Sequence, residues 1–324
     1  MVINNPDPVT FFTIPLSFFL VIFSLLFFQG ILVNFISRNI GKISFRHPYI
    51  FRAMNWWGIF IHELSHAVTA IATLNKVKEF KVTSNGGYVV HGSNGRGFFQ
   101  WLAGQLISIS PAFVPPVIAA FLLKFSGYID FHSVFRYAES LEPISIISAL
   151  YLGSIPEIVK TLGWLFLNLD YAKGKNILLL LVFVFSFSAA KPSSIDKKYR
   201  MEGDLQSLIR GFFGSPIYTI FFILLGILFF WIILRFDQSF FSTMITFLIF
   251  LPILSFFGLA FNFLFIRLIN IYDESRKLHF IISLLISVVV YVIMAQHIEK
   301  HYVINIISIG VLIGLLMISK SKYL

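Results

Sequence analysis

The sequence predicts an all-α fold, a polytopic membrane helix bundle of about eight or nine spans, with a short β-hairpin loop between the second and third. Three observations carry this. Charged residues are only 12% of the 324 and hydrophobic residues 57%, whereas a soluble domain is about one-quarter charged. Apolar runs of about the length that crosses a bilayer recur along the whole chain. The basic residues, which give a net charge of +10, cluster in short loops between those runs, where they set membrane orientation rather than bind nucleic acid.

The runs follow in order. Asn4-Asn5-Pro6-Asp7-Pro8 is a turn-rich lead-in to residues 11–36, and 54–74 and 98–123 are the next two. Residues 144–169 form a fourth run, interrupted by Pro156, Glu157 and Lys160, and 177–190 a short fifth. Four more cover 212–234, 240–266, 280–295 and 303–319. The first ten residues carry no Lys or Arg, so no secretory leader is expected. The chain is expected to be an integral, multi-pass protein of the cell membrane, in contact with the lipid bilayer.

Basic loops at 37–52, 191–210 and 267–277, and the C-terminus with Lys320 and Lys322, belong on the cytoplasmic side. Simple alternation then places 75–97 outside, although it carries Lys76, Lys78, Lys81 and Arg96. Either the broken fourth run is not a plain crossing or this loop folds back into the membrane. Phe80-Lys81-Val82-Thr83 and Tyr88-Val89-Val90 alternate like strands around Asn85-Gly86-Gly87, a hairpin-type turn. An exposed hairpin edge can accept an extended peptide as an added strand, and Gly86, Gly87 and Tyr88 are the candidate substrate-binding residues.

The second run holds His62-Glu63-Leu64-Ser65-His66. Residues four apart lie one turn apart on one helix face, so both imidazoles can share a metal ion. Glu63 stands where a general base for a metal-activated water is needed. An ionisable group at membrane depth is costly and marks function. The chain has no cysteine, so any metal is held by His and carboxylate, a donor set that suits Zn2+. A catalytic zinc takes three protein ligands. Asp196, held near a membrane helix end through Lys191-Pro192-Ser193-Ser194-Ile195, is the first choice for the third, with Asp170 and then Asp204 behind it. His91, His132, His279, His297 and His301 read as interfacial or loop histidines, although His297 and His301 repeat the four-residue spacing. Trp56 and Trp57 fit an interfacial belt.

Ile61-His62-Glu63-Leu64-Ser65-His66-Ala67, the Gly-Gly-Tyr hairpin and Trp101-Leu102-Ala103-Gly104 together resemble the site-2-type intramembrane zinc metalloproteases, in their compact branch without PDZ domains. The resemblance covers about residues 54–200. It implies a helix bundle with zinc below the membrane surface, cleaving membrane-bound protein or peptide substrates. It makes His62 and His66 ligands, Glu63 the base, and an aspartate from a later segment the third ligand. Many members carry that aspartate in Asn-Pro-Asp-Gly or Leu-Asp-Gly; this chain has neither after the histidines. The motif also resembles that of other membrane zincins whose third ligand is a glutamate, but neither Glu202 nor Glu274 has the setting those require. The domain reading is 1–53 as an N-terminal span and basic loop, 54–210 as the metalloprotease-like core and 211–324 as a four-span bundle. A transporter or channel with an intramembrane His/Glu site, or an inactive protease relative, are the alternatives.

Overall fold

The computed structural model describes residues 20, 24, 27–33, 35–36, 46–84, 86–92, 95–128, 155–187, 204–236, 238–274 and 277–321. Helix α1, Pro48–Ala72, starts on a proline, whose missing N–H costs nothing in a first turn. It ends where Leu74 takes φ 60°. The Leu74 N–H then bonds the Ile71 carbonyl (2.9 Å) and the Asn75 N–H bonds that of Ala70 (2.8 Å). This left-handed turn satisfies the last carbonyls of α1 and reverses the chain.

The reversal feeds the expected hairpin, β1 Lys76–Thr83 and β2 Gly86–Gly92, paired antiparallel from Lys76↔Gly92 to Thr83↔Gly86. The hairpin does not project from the helix end. It folds back along α1: the Asn55 amide donates to the Ser84 carbonyl (2.7 Å), and the Phe60 and Phe80 rings meet edge to face at 6.3 Å.

Helix α2, Phe98–Phe125, returns beside α1. The Gln100 amide donates to Asn75 Oδ1 at one end (3.0 Å), and His66 meets Ile107 halfway along. Helices α3 Ile155–Asn168, α4 Gly174–Ser186 and the long α7 Gln238–Glu274 build the apolar core. There Phe166 lies 5.2 Å from Phe183 and 4.6 Å from Phe261, centroid to centroid, and the ring of Phe187 fills the space a side chain at Gly258 would take. Helix α5, Asp204–Gly214, docks on α2 through the Trp101 indole N–H to the Gly211 carbonyl (2.9 Å) and Ser108 to Ser207 (3.3 Å). Helix α6 is Pro216–Phe236. Helices α8 Lys277–His297 and α9 His301–Ser321 pair through Ser287, whose hydroxyl donates to the Ser308 carbonyl (2.6 Å). The Asn305 amide holds α9 to the end of α3, at the carbonyls of Leu167 and Leu169 (2.6 and 3.0 Å). The His47 and Tyr272 rings meet at 6.2 Å, tilted by 49°. The basic stretches beside them, around Arg52 and Arg267, therefore meet at one end, as loops on one membrane side must.

The chain is a membrane protein, but eight or nine crossings are not what the described residues give. Three helical stretches are long and apolar enough: Phe98–Phe125, Thr243–Tyr272 and Leu278–His297. A fourth span results if Ser207–Gly214 and Pro216–Ile232 count as one, though they bend by 95°. The expected 212–234 run breaks there because Pro216 follows Ser215 and lacks the N–H that would continue the helix. Helix α1 has the length but not the apolarity, since His62, Glu63, Ser65 and His66 sit within it. Apolar stretches of α3, α4 and α9 are shorter, at 10–17 residues. Most of 11–36 and all of 144–154 lie outside the described residues.

Candidate metal centre

The helical repeat brings His62 and His66 together on α1: their ring centroids are 4.9 Å apart with planes at 84°. Glu63 is buried, with 4% of its surface exposed. His66 Nδ1 lies 2.8 Å from the Ile107 carbonyl oxygen on α2. A carbonyl oxygen can only accept, so Nδ1 carries the proton and Nε2 keeps a lone pair for a metal. Pro111 explains why that carbonyl is available. It stands four residues on, where its ring nitrogen has no hydrogen to close the helical bond. The Ser110 hydroxyl shares the same oxygen (2.8 Å).

The hairpin closes the Glu63 side. A Cβ on Gly87 would lie 2.7 Å from Glu63 Cγ, 2.7 Å from Ile59 Cγ2 and 2.9 Å from the Lys81 carbonyl oxygen. Only glycine lets the strand come this close. Alternation along β2 then sets Val89 and His91 on the face that meets α1. Partial burial, and secondly the repulsion it would meet from His66 with both rings protonated, hold the His91 imidazole below its usual pKa. His91 is thus a neighbour of the site, not only a loop histidine. The signal that finds it is the two-residue repeat counted from Gly87.

The three carboxylate candidates part ways. Asp170 lies in the α3–α4 connection and is engaged elsewhere: it accepts from the Ala172 N–H (3.0 Å) and the Tyr291 hydroxyl (3.2 Å) and pairs with Lys173 (3.3 Å). Asp204 is the first residue of α5, the helix docked on α2. Asp196 lies outside the described residues. Among the described residues no three His, Asp or Glu side chains form a metal-binding group. His297 ends α8 and His301 begins α9, so their spacing is broken across two helices and they do not repeat the α1 geometry. The donor chemistry at His62 and His66 fits two of the three positions a zinc ion needs.

No curated protein and no solved structure matches the chain. Residues 35–130, which hold α1, the hairpin and α2, match the family model described as Peptidase M50B-like, the family of the site-2 proteases.

Proposed function

We propose that the protein is an intramembrane zinc-dependent endopeptidase that cleaves membrane-bound proteins. The observation that supports this most is the His62–His66 pair, with the His66 tautomer set by Ile107 and Glu63 buried beside it. His62 and His66 are the proposed ligands through their ring nitrogens. The proposed third ligand is Asp196, in the connection between α4, which packs on α1 and α2, and α5, which packs on α2; Asp204 at the start of α5 is the alternative. When bound, a zinc ion supplies Lewis-acid activation of a water and of the scissile carbonyl.

Glu63 takes the proton from the attacking water and delivers it to the leaving amine. Glu63 is buried, and Gly87 lets the hairpin backbone seal that side. A helical peptide bond is shielded by its own hydrogen bonds, so the substrate must be extended locally. Gly86, Gly87 and Tyr88, beside Glu63, are proposed to hold that extended segment by strand addition. Glu63→Gln in protein reconstituted with a membrane-anchored peptide tests the reading. Cleavage is expected to vanish while bound metal stays; cleavage at the wild-type rate would refute it. Wild-type protein that binds no metal would instead identify an inactive relative.

A further inference from the structure

The hairpin has a second face, away from α1. Lys81 pairs with Tyr88, one residue out of phase with Gly87, and so points outward. Lys76 pairs with Gly92, also on the outer parity, and the register shift between Val77 and Glu79 leaves Lys78 as an extra residue. The Lys78 side chain lies where a Cβ on Gly92 would sit, with Cε at 2.7 Å. The bulge therefore puts Lys76, Lys78 and Lys81 on one face. All three are exposed. The acid on this face, Glu79, accepts from the Tyr88 hydroxyl, and Lys81 lies over the Tyr88 ring at 5.9 Å.

The hairpin that carries this face runs back along α1 with its tip at Asn55, and α1 packs along the apolar span α2. Ammonium groups facing hydrocarbon there would cost several kcal/mol each. They therefore look onto water. Hydrolysis needs such a water-filled space next to Glu63, and the inner face of the same two strands touches Glu63.

We propose that Lys76, Lys78 and Lys81, with Tyr88, line an aqueous vestibule beside Glu63 and bind an acidic, extended segment of the membrane-bound substrate. The lysines lie along about 16 Å of strand, a track that suits an extended peptide rather than a single lipid headgroup. Three cations against one carboxylate set the sign of the partner. The proposal rests on the endopeptidase reading for the identity of the occupant.

Two measurements test it. The chain has no native cysteine, so single-cysteine variants can be labelled with a membrane-impermeant maleimide in intact vesicles of both orientations. Lys78→Cys and Lys81→Cys are expected to label, and Val82→Cys and Val89→Cys, on the inner face, to stay protected. Outer positions that stay protected would overturn the vestibule. The second measurement uses full-length Glu63→Gln protein in nanodiscs of neutral lipid. Fluorescent transmembrane peptides with a Glu/Asp-rich flank or a Lys-rich flank are titrated in. The acidic peptide is expected to bind about tenfold tighter, and combined Lys76→Glu, Lys78→Glu and Lys81→Glu to reverse the order. Equal binding of both peptides would overturn the proposal, as would discrimination seen only when phosphatidylglycerol is included, which would mark a lipid site. No turnover is measured, so a failed cleavage test leaves this result readable, and failure here leaves the cleavage test intact.

Discussion

The Ile107 carbonyl oxygen accepts the His66 Nδ1 proton at 2.8 Å, joining α1 to α2 at the level of the proposed ligands. The bond exists because Pro111 donates nothing to that oxygen. Pro111→Ala restores a competing N–H. A helix-interior proline costs about 3 kcal/mol, so thermal stability is expected to rise. Metal affinity is expected to fall about tenfold, the usual effect of losing a ligand's outer partner. Metal titration alongside melting checks both signs; unchanged affinity would show that the Ile107 contact does not tune the site.

Gly87 tests the other wall. Gly87→Ala forces a methyl against Glu63, Ile59 and the fixed Lys81 carbonyl. Such overpacking costs about 1–3 kcal/mol. The expected result is a lower kcat with metal content unchanged, because Glu63 is displaced and the histidines are not. Steady-state kinetics with metal analysis separates this from general unfolding, which would lower both.

Acid should loosen the C-terminal helix pair. Burial opposes ionisation of Asp170, but the Ala172 N–H, Lys173 and Tyr291 outweigh it and hold its pKa below the usual carboxylate value. A depressed folded-state pKa contributes stability above the unfolded value, near 3.9. That contribution is lost as pH falls through the folded value. Hydrogen exchange in α8 and α9 is expected to speed up over that acid window, and Asp170→Asn to remove the pH dependence. The same acid response in Asp170→Asn would place the titrating group elsewhere.

What the sequence shows and what it hides divide along physical lines. Local patterns are legible: the hairpin appears where alternation puts it, although Gly86 and Gly87, expected in its turn, stand in β2, and the His62–His66 spacing becomes a ring pair because a helix repeats every 3.6 residues. Contacts between distant segments are not. Nothing in the sequence near His66 announces Ile107, and only the proline four residues beyond that carbonyl hints at a free acceptor. Likewise, the apolar count of 212–234 reads as one span, and Pro216 breaks it. The third ligand is illegible for a related reason: a single aspartate in a connection carries no periodicity to mark it.

The most direct test is the metal content of purified full-length protein and its His62→Ala and His66→Ala variants. The account predicts one zinc ion per chain in the wild type and none retained by either variant after desalting. Zinc retained at full stoichiometry by both variants would place the metal elsewhere and contradict it.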